Sequence, residues 1–220
     1  MVQTEQRMLA GRKLKLMWTG YTAILISLLL VLLCLVLALL SIDKALLNMS
    51  YGGSMFLMFL VLMGSLASLV GVVLHLVGLY GLRPIRKEYC TAFLCLVIAL
   101  VLSPLSELTA EGSAAFRLLY LGRTVLNLIA IWFTLQGTNG LMEAVGRGDV
   151  SARGRLVWIL SWTETVLTIL LEMLPLGAVL ENMGLGLVLL LSLLYSLASL
   201  VFYWNYLKRA SDALLAASEL

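Results

Sequence analysis

The 220-residue chain is 62% hydrophobic and only 12% charged, with a mean hydropathy of +1.04, against the roughly 25% charged residues of a soluble domain. That balance excludes a water-soluble fold, and about six apolar spans with short connections use up the length, leaving no room for a separate soluble domain. The formal charge of +3 resolves into basic loop segments, which speaks for membrane topology and against a nucleic-acid partner.

Residues 1–16 hold Arg7, Arg12, Lys13 and Lys15 against Glu5, and residues 17–40 follow with no charged side chain. This run is longer than the roughly 7 to 15 residues of a cleavable signal core, so it predicts a retained first span. A loop with Asp43 and Lys44 leads to a second span over 54–82, broken only by small residues and His75. Arg83, Arg86 and Lys87 close it. The third span, 89–103, is expected to end at Pro104, which lacks the amide proton that continues a helix. An acidic loop with Glu107 and Glu111 precedes Ser113, the predicted N-cap of a fourth span over 115–142. A glycine-punctuated loop with Arg147, Asp149, Arg153 and Arg155 separates it from a fifth span over 156–177. After Pro175 and Glu181 the sixth runs over 183–206, stopped by Lys208 and Arg209. The expected fold class is all-α: one polytopic membrane domain over residues 1–220, a six-helix transmembrane bundle with short loops.

Sorting the basic residues by these spans places twelve on one side and only Lys44 and Arg117 on the other, with Arg123 inside the fourth span. This positive-inside bias predicts a multi-pass protein of the cytoplasmic membrane with both termini inside. Trp18, Trp158 and Trp204 fall near the cytoplasmic boundary of that topology, where indole rings prefer to lie.

The strongest polar signal is in the fifth span, LVWILSWTETVLTILLEMLP over 156–175. At 100° per residue Ser161, Glu164, Thr165, Thr168 and Glu172 share an arc about 100° wide, facing away from the Leu, Ile, Val and Trp surface. An ionised residue at mid-span costs about 2.5 to 3.5 kcal/mol on insertion scales, and each large aliphatic residue returns only about 0.3 to 0.6. The span therefore needs a polar neighbour. The fourth span offers one, since Arg123, Asn127, Ala130, Thr134, Gly137 and Thr138 also share a face. Antiparallel packing of the two stripes predicts a contact between Arg123 and Glu172, and depth counting places Glu164 near the level of His75 as a candidate proton-exchanging pair. The candidate intramembrane site is thus Arg123, Asn127, Thr134, Glu164, Thr168, Glu172 and His75. The plainer reading of the same residues is a structural lock between helices.

Other features point to packing. Gly64, Ser68, Gly71, His75 and Gly78 form a small-residue strip on the second span, and Ser192, Tyr195, Ser196, Ser199, Tyr203 and Tyr206 share a face of the sixth. Cys34, Cys90 and Cys95 read as reduced packing residues, and a single histidine leaves no zinc-ligand set. No cofactor motif, metal site or catalytic triad is expected. Glu164 and Glu172 lie about 12 Å apart along the helix, beyond the roughly 9.5 Å of paired glycosidase carboxylates. Arg147-Gly148-Asp149 reads as a solvated turn and Asn48-Met49-Ser50 as an outward-loop sequon.

These observations predict a non-enzymatic membrane protein that transports or binds a small solute or ion. The alternative is a structural or regulatory subunit whose charged helices bind another membrane protein or a second copy of the chain. In size and span count the chain is similar to the substrate-binding membrane subunits of energy-coupling-factor vitamin transporters, a likeness of architecture without a shared motif. The two readings differ in where the polar stripes point: inward onto a cavity, or outward onto a partner.

Overall fold

A computed structural model describes residues 2–42, 51–110, 113–172 and 183–218. Six helices account for nearly all of them: α1 Val2–Ile42, α2 Tyr51–Leu82, α3 Lys87–Glu107, α4 Ala114–Ala144, α5 Gly148–Glu172 and α6 Met183–Ala216. No strand occurs among the described residues. Five of the helices, α1 to α5, are long and apolar enough to cross a bilayer, and the chain is an all-α membrane protein. Each helix packs on the next, and α6 returns to pack along α1, so the six form a closed ring that α4 and α6 also bridge across the middle.

The α1–α2 pair shows why the sequence favours this arrangement. Gly64, Gly71 and Gly78 recur every seven residues on α2 and meet Ser27, Gly20 and Lys13 with the same spacing on α1. A side chain on Gly71 would stand 2.6 Å from the Gly20 carbonyl oxygen, and one on Gly20 would stand 2.6 Å from that of Gly71. The two backbones touch there, as small-residue stripes allow in lipid, where close packing replaces hydrophobic burial as the attraction between helices.

The buried core is concentrated at the end of the ring that carries both described terminal segments and most of the basic residues. Its members come from all six helices, including Leu14, Leu82, Tyr89, Met142, Val157 and Tyr206. This basic end is longer than the loops of the sequence suggest. The arm before residue 17 is helical and continuous with α1, because Ala10, Leu14 and Met17 repeat at helical spacing and pack on Leu207, Ala210 and Leu214 of α6. Lys208 and Arg209 do not stop α6, which runs on to Ala216. Their side chains are exposed while the buried face continues beneath them, and Ser211 Oγ bonds the Gly11 carbonyl at 3.2 Å. Likewise the glycine-punctuated segment is the first turns of α5: Val150, Gly154, Val157 and Ser161 form one buried stripe. The turn before it shrinks to a few residues, with Gly146 at φ 73°, a conformation that favours glycine.

Two capping expectations divide. Ser113 is the N-cap of α4, its Oγ accepting from Phe116 N at 3.1 Å. Pro104 does not end α3, which continues to Glu107. A proline removes one ladder hydrogen bond but keeps its carbonyl, and Pro104 O accepts from Leu108 N at 3.2 Å. Ser106 and Thr109 hydroxyls return to the carbonyls of Ser103 and Ser106 at 2.7 Å. The sequon at Asn48 to Ser50 lies outside the described residues.

Because Gly71 has no room for a side chain, Gly71→Val is expected to lower unfolding stability in detergent by about 1 to 3 kcal/mol, the range for overpacked cores. Gly148, with nothing within 4 Å, serves as the control: Gly148→Ala is expected to leave the thermal midpoint in place.

Candidate functional site

The polar stripes of α4 and α5 turn into the ring. There they line two adjoining cavities. One, of about 280 Å³, lies among α1, α4, α5 and α6 and is bordered by Arg123, Asn127, Glu164 and Thr168, with Tyr21 and Tyr203 opposite. The other, of about 300 Å³, lies among α1 to α4 and is bordered by His75, Ser103, Arg123 and Asn127 between aliphatic walls. Tyr21, Arg123 and Asn127 border both. One phenol, one guanidinium and one amide therefore stand where the two lobes meet.

Arg123 is held from α3 and from its own helix. Its Nη1 donates to Ser103 Oγ at 3.0 Å, and its guanidinium lies 5.1 Å from the centre of the Tyr120 ring. Among the described residues it forms no ion pair. The side chain of Glu172, its expected partner, lies outside the described residues. Glu164 is half-buried and faces the hydroxyls of Ser196 and Ser199 on α6. The serine column on α6 thus has a second use: it offers hydrogen bonds to a carboxyl group that lipid would leave unsolvated.

His75 and Glu164 occupy different lobes. The imidazole is buried, its Nδ1 has no hydrogen-bond partner among the described residues, and its ring meets Tyr21 edge-on with centres 4.9 Å apart. Tyr21 in turn meets Tyr203 at 4.7 Å. An aromatic row thereby runs from α2 through α1 to α6, and Tyr21 stands between the histidine and the carboxyl group.

Thr134 lies apart from both lobes. Its Oγ1 donates to the Ala130 carbonyl at 2.8 Å, and Thr138 repeats the pattern one turn on. These threonines begin a buried polar ladder toward the basic end, where Tyr89 and Thr138 hydroxyls share a 2.9 Å bond and Tyr206 donates to Asn139 Oδ1 at 2.7 Å. The ladder ties α3, α4 and α6 together. Of the seven candidate residues, four line the first lobe, His75 lines the second, Thr134 belongs to the ladder, and the Glu172 side chain is outside the described residues.

Tyr21, Ser103 and Tyr203 complete the compartment. Tyr203 already belongs to the polar face of the sixth span, whereas the meaning of Tyr21 and Ser103 depends on which helix lies opposite. Four of the five tryptophans sort into pairs, Trp18 with Trp204 at 5.8 Å and Trp158 with Trp132 at 4.5 Å, and Trp162 is exposed. Trp204 Nε1 also donates to Thr22 Oγ1 at 2.8 Å, one of the bonds by which α6 closes the ring on α1. The three cysteines are free thiols, Cys34 buried and the other two half-buried. Arg147 and Asp149 form an exposed two-point ion pair at 2.9 and 3.1 Å.

Comparison with family models, curated proteins and solved structures returns no match. The reading of this chain rests on its own geometry.

Thr165 borders the first lobe, whereas Thr163 is exposed on the outside of α5. In a cysteine-free background Thr165→Cys is expected to react with a small hydrophilic thiol reagent at least about tenfold faster than Thr163→Cys, because thiols ionise poorly in lipid. Equal rates would show that the lobe is not a water-accessible compartment.

Proposed function

We propose that this protein is a non-catalytic, multi-pass protein of the cytoplasmic membrane that binds a small solute or ion in the two-lobed compartment and passes it across the bilayer. One observation supports the reading most: Arg123 and Glu164 are half-buried and border half-open cavities between the helices. An intramembrane cation and carboxyl group that converge on a cavity, with aliphatic walls and a few directed hydroxyls, have the composition of a ligand site. A subunit built to dock another membrane protein through these charges would carry them outside, facing the partner.

In this proposal the basic end of the ring faces the cytoplasm, following the positive-inside bias. Both termini are then inside. An introduced cysteine at Asp149 is expected to resist an impermeant thiol reagent applied to intact cells and to react once the membrane is opened. Modification from outside would reverse the orientation.

The functional test is a thermal-shift screen of the purified chain against alkali and alkaline-earth cations, simple anions, amino acids and small carboxylates. A true ligand at 100 times its Kd stabilises by about 2.7 kcal/mol, and the resulting shift is expected to vanish in both Arg123→Gln and Glu164→Gln. A shift that survives both substitutions would contradict the assigned site, and a chain that responds to none of the probes would turn the assignment toward a structural role.

A further inference from the structure

A third cavity, separate from the central compartment, opens at the basic end among α3, α4 and α5. It has a volume of about 360 Å³. Glycines floor it: the Arg86 guanidinium lies directly over Gly140, and the Asn139 amide over Gly154. Arg86 therefore lies flat across α4, where its Nη1 also reaches the Gly137 carbonyl at 3.4 Å. Arg155 supplies a second cation from α5 and forms no ion pair among the described residues.

The same cavity is also lined by two carboxylates, Glu88 beside Arg86 and Glu143 on α4. Glu88 lies 3.7 Å from Arg86, and Glu143 accepts a 3.3 Å bond from Ser151. Both carboxylates keep acceptor capacity in reserve, since each ionised group has about four lone-pair sites. The paired rings of Trp132 and Trp158 border the cavity, and Trp132 is exposed on the outer surface of the ring. Trp158 falls near the basic-side boundary of the expected topology, where indole rings prefer to lie.

We propose that this cavity binds the headgroup of a zwitterionic phospholipid bearing a primary ammonium, of the phosphatidylethanolamine type, drawn from the leaflet at the basic end. The phosphate lies between Arg86 and Arg155, whose planar donors suit its oxygens. The ammonium lies between Glu88 and Glu143, and the glycerol passes out beside the tryptophans. Two cations and two carboxylates balance, which distinguishes the cavity from the purely basic pockets that take anionic lipids. A phosphatidylglycerol headgroup brings no ammonium to the carboxylates. A choline headgroup has no N–H to donate to them.

The test uses the full chain purified in detergent, with lipid retention read by native mass spectrometry. Matched-chain phosphatidylethanolamine, phosphatidylcholine and phosphatidylglycerol compete, and soluble phosphoethanolamine is added as a fourth probe. Phosphatidylethanolamine is expected to be retained selectively. Arg155→Gln and Glu143→Gln, both at exposed positions, are each expected to lower its retention about tenfold, as loss of one charge-assisted hydrogen bond implies, with the lipid-free thermal midpoint unchanged. Equal retention of the three lipids, preference for phosphatidylglycerol or phosphatidylcholine, or wild-type retention in both variants would overturn the proposal. Displacement of the lipid by equimolar phosphoethanolamine would overturn it too, by assigning the site to a soluble ligand.

Discussion

Hydrocarbon offers no hydrogen bonds, so a guanidinium, a carboxyl group and an imidazole set in spanning helices must find their partners on neighbouring helices. That constraint organises this protein. Arg123 turns to Ser103 on α3, and Glu164 turns to the serines of α6. His75 turns to the Tyr21 ring on α1. With Arg123, Glu164 and His75 turned between the helices, the helices surround a common interior, and the exposed surface is mainly large apolar side chains.

The ring is not equally tight along its length. At the basic end, side chains from every helix interlock, and the hydroxyls of Tyr89, Thr138 and Tyr206 join α3, α4 and α6 through a ladder of short hydrogen bonds. The extended ends of α1 and α6 clamp this region further. The central compartment begins where the ladder ends. A rigid base beneath a less filled cavity suits a ligand site, because positioning groups are held on helices whose other ends cannot shift.

Much of this plan is legible in the chain itself. Apolar runs, the placement of basic residues and the Ser113 cap disclose the helices, and the stripes of α4 and α5 single out the residues that border the first lobe. The seven-residue glycine rhythm of α2 discloses close packing, but its counterpart on α1 is the backbone of a glycine, a serine and a lysine, which no sequence rule pairs with it. Charge misleads at the ends. Arg12, Lys15, Lys208 and Arg209 read as loop residues, whereas they are the solvated face of helices whose other face, Leu14 against Leu207 and Ala210, is core. Pro104 misleads because one missing hydrogen bond near a helix end is a smaller loss than the rule for helix interiors implies. The separation of His75 from Glu164 by Tyr21 depends on lateral placement, which depth counting along one helix does not contain.

The central claim is that the two intramembrane charged groups bordering the first lobe, Arg123 and Glu164, are answered across helix boundaries inside the ring. A double-mutant cycle on Arg123 and Ser103, with unfolding free energy measured for the chain in detergent, tests it most directly. The 3.0 Å contact predicts a coupling of about 1.5 to 3 kcal/mol for Arg123→Leu with Ser103→Ala, the range for a hydrogen bond to a charged group. Additive effects, with coupling near zero, would mean that Arg123 is not answered by α3, and the inward-facing arrangement would lose its anchor.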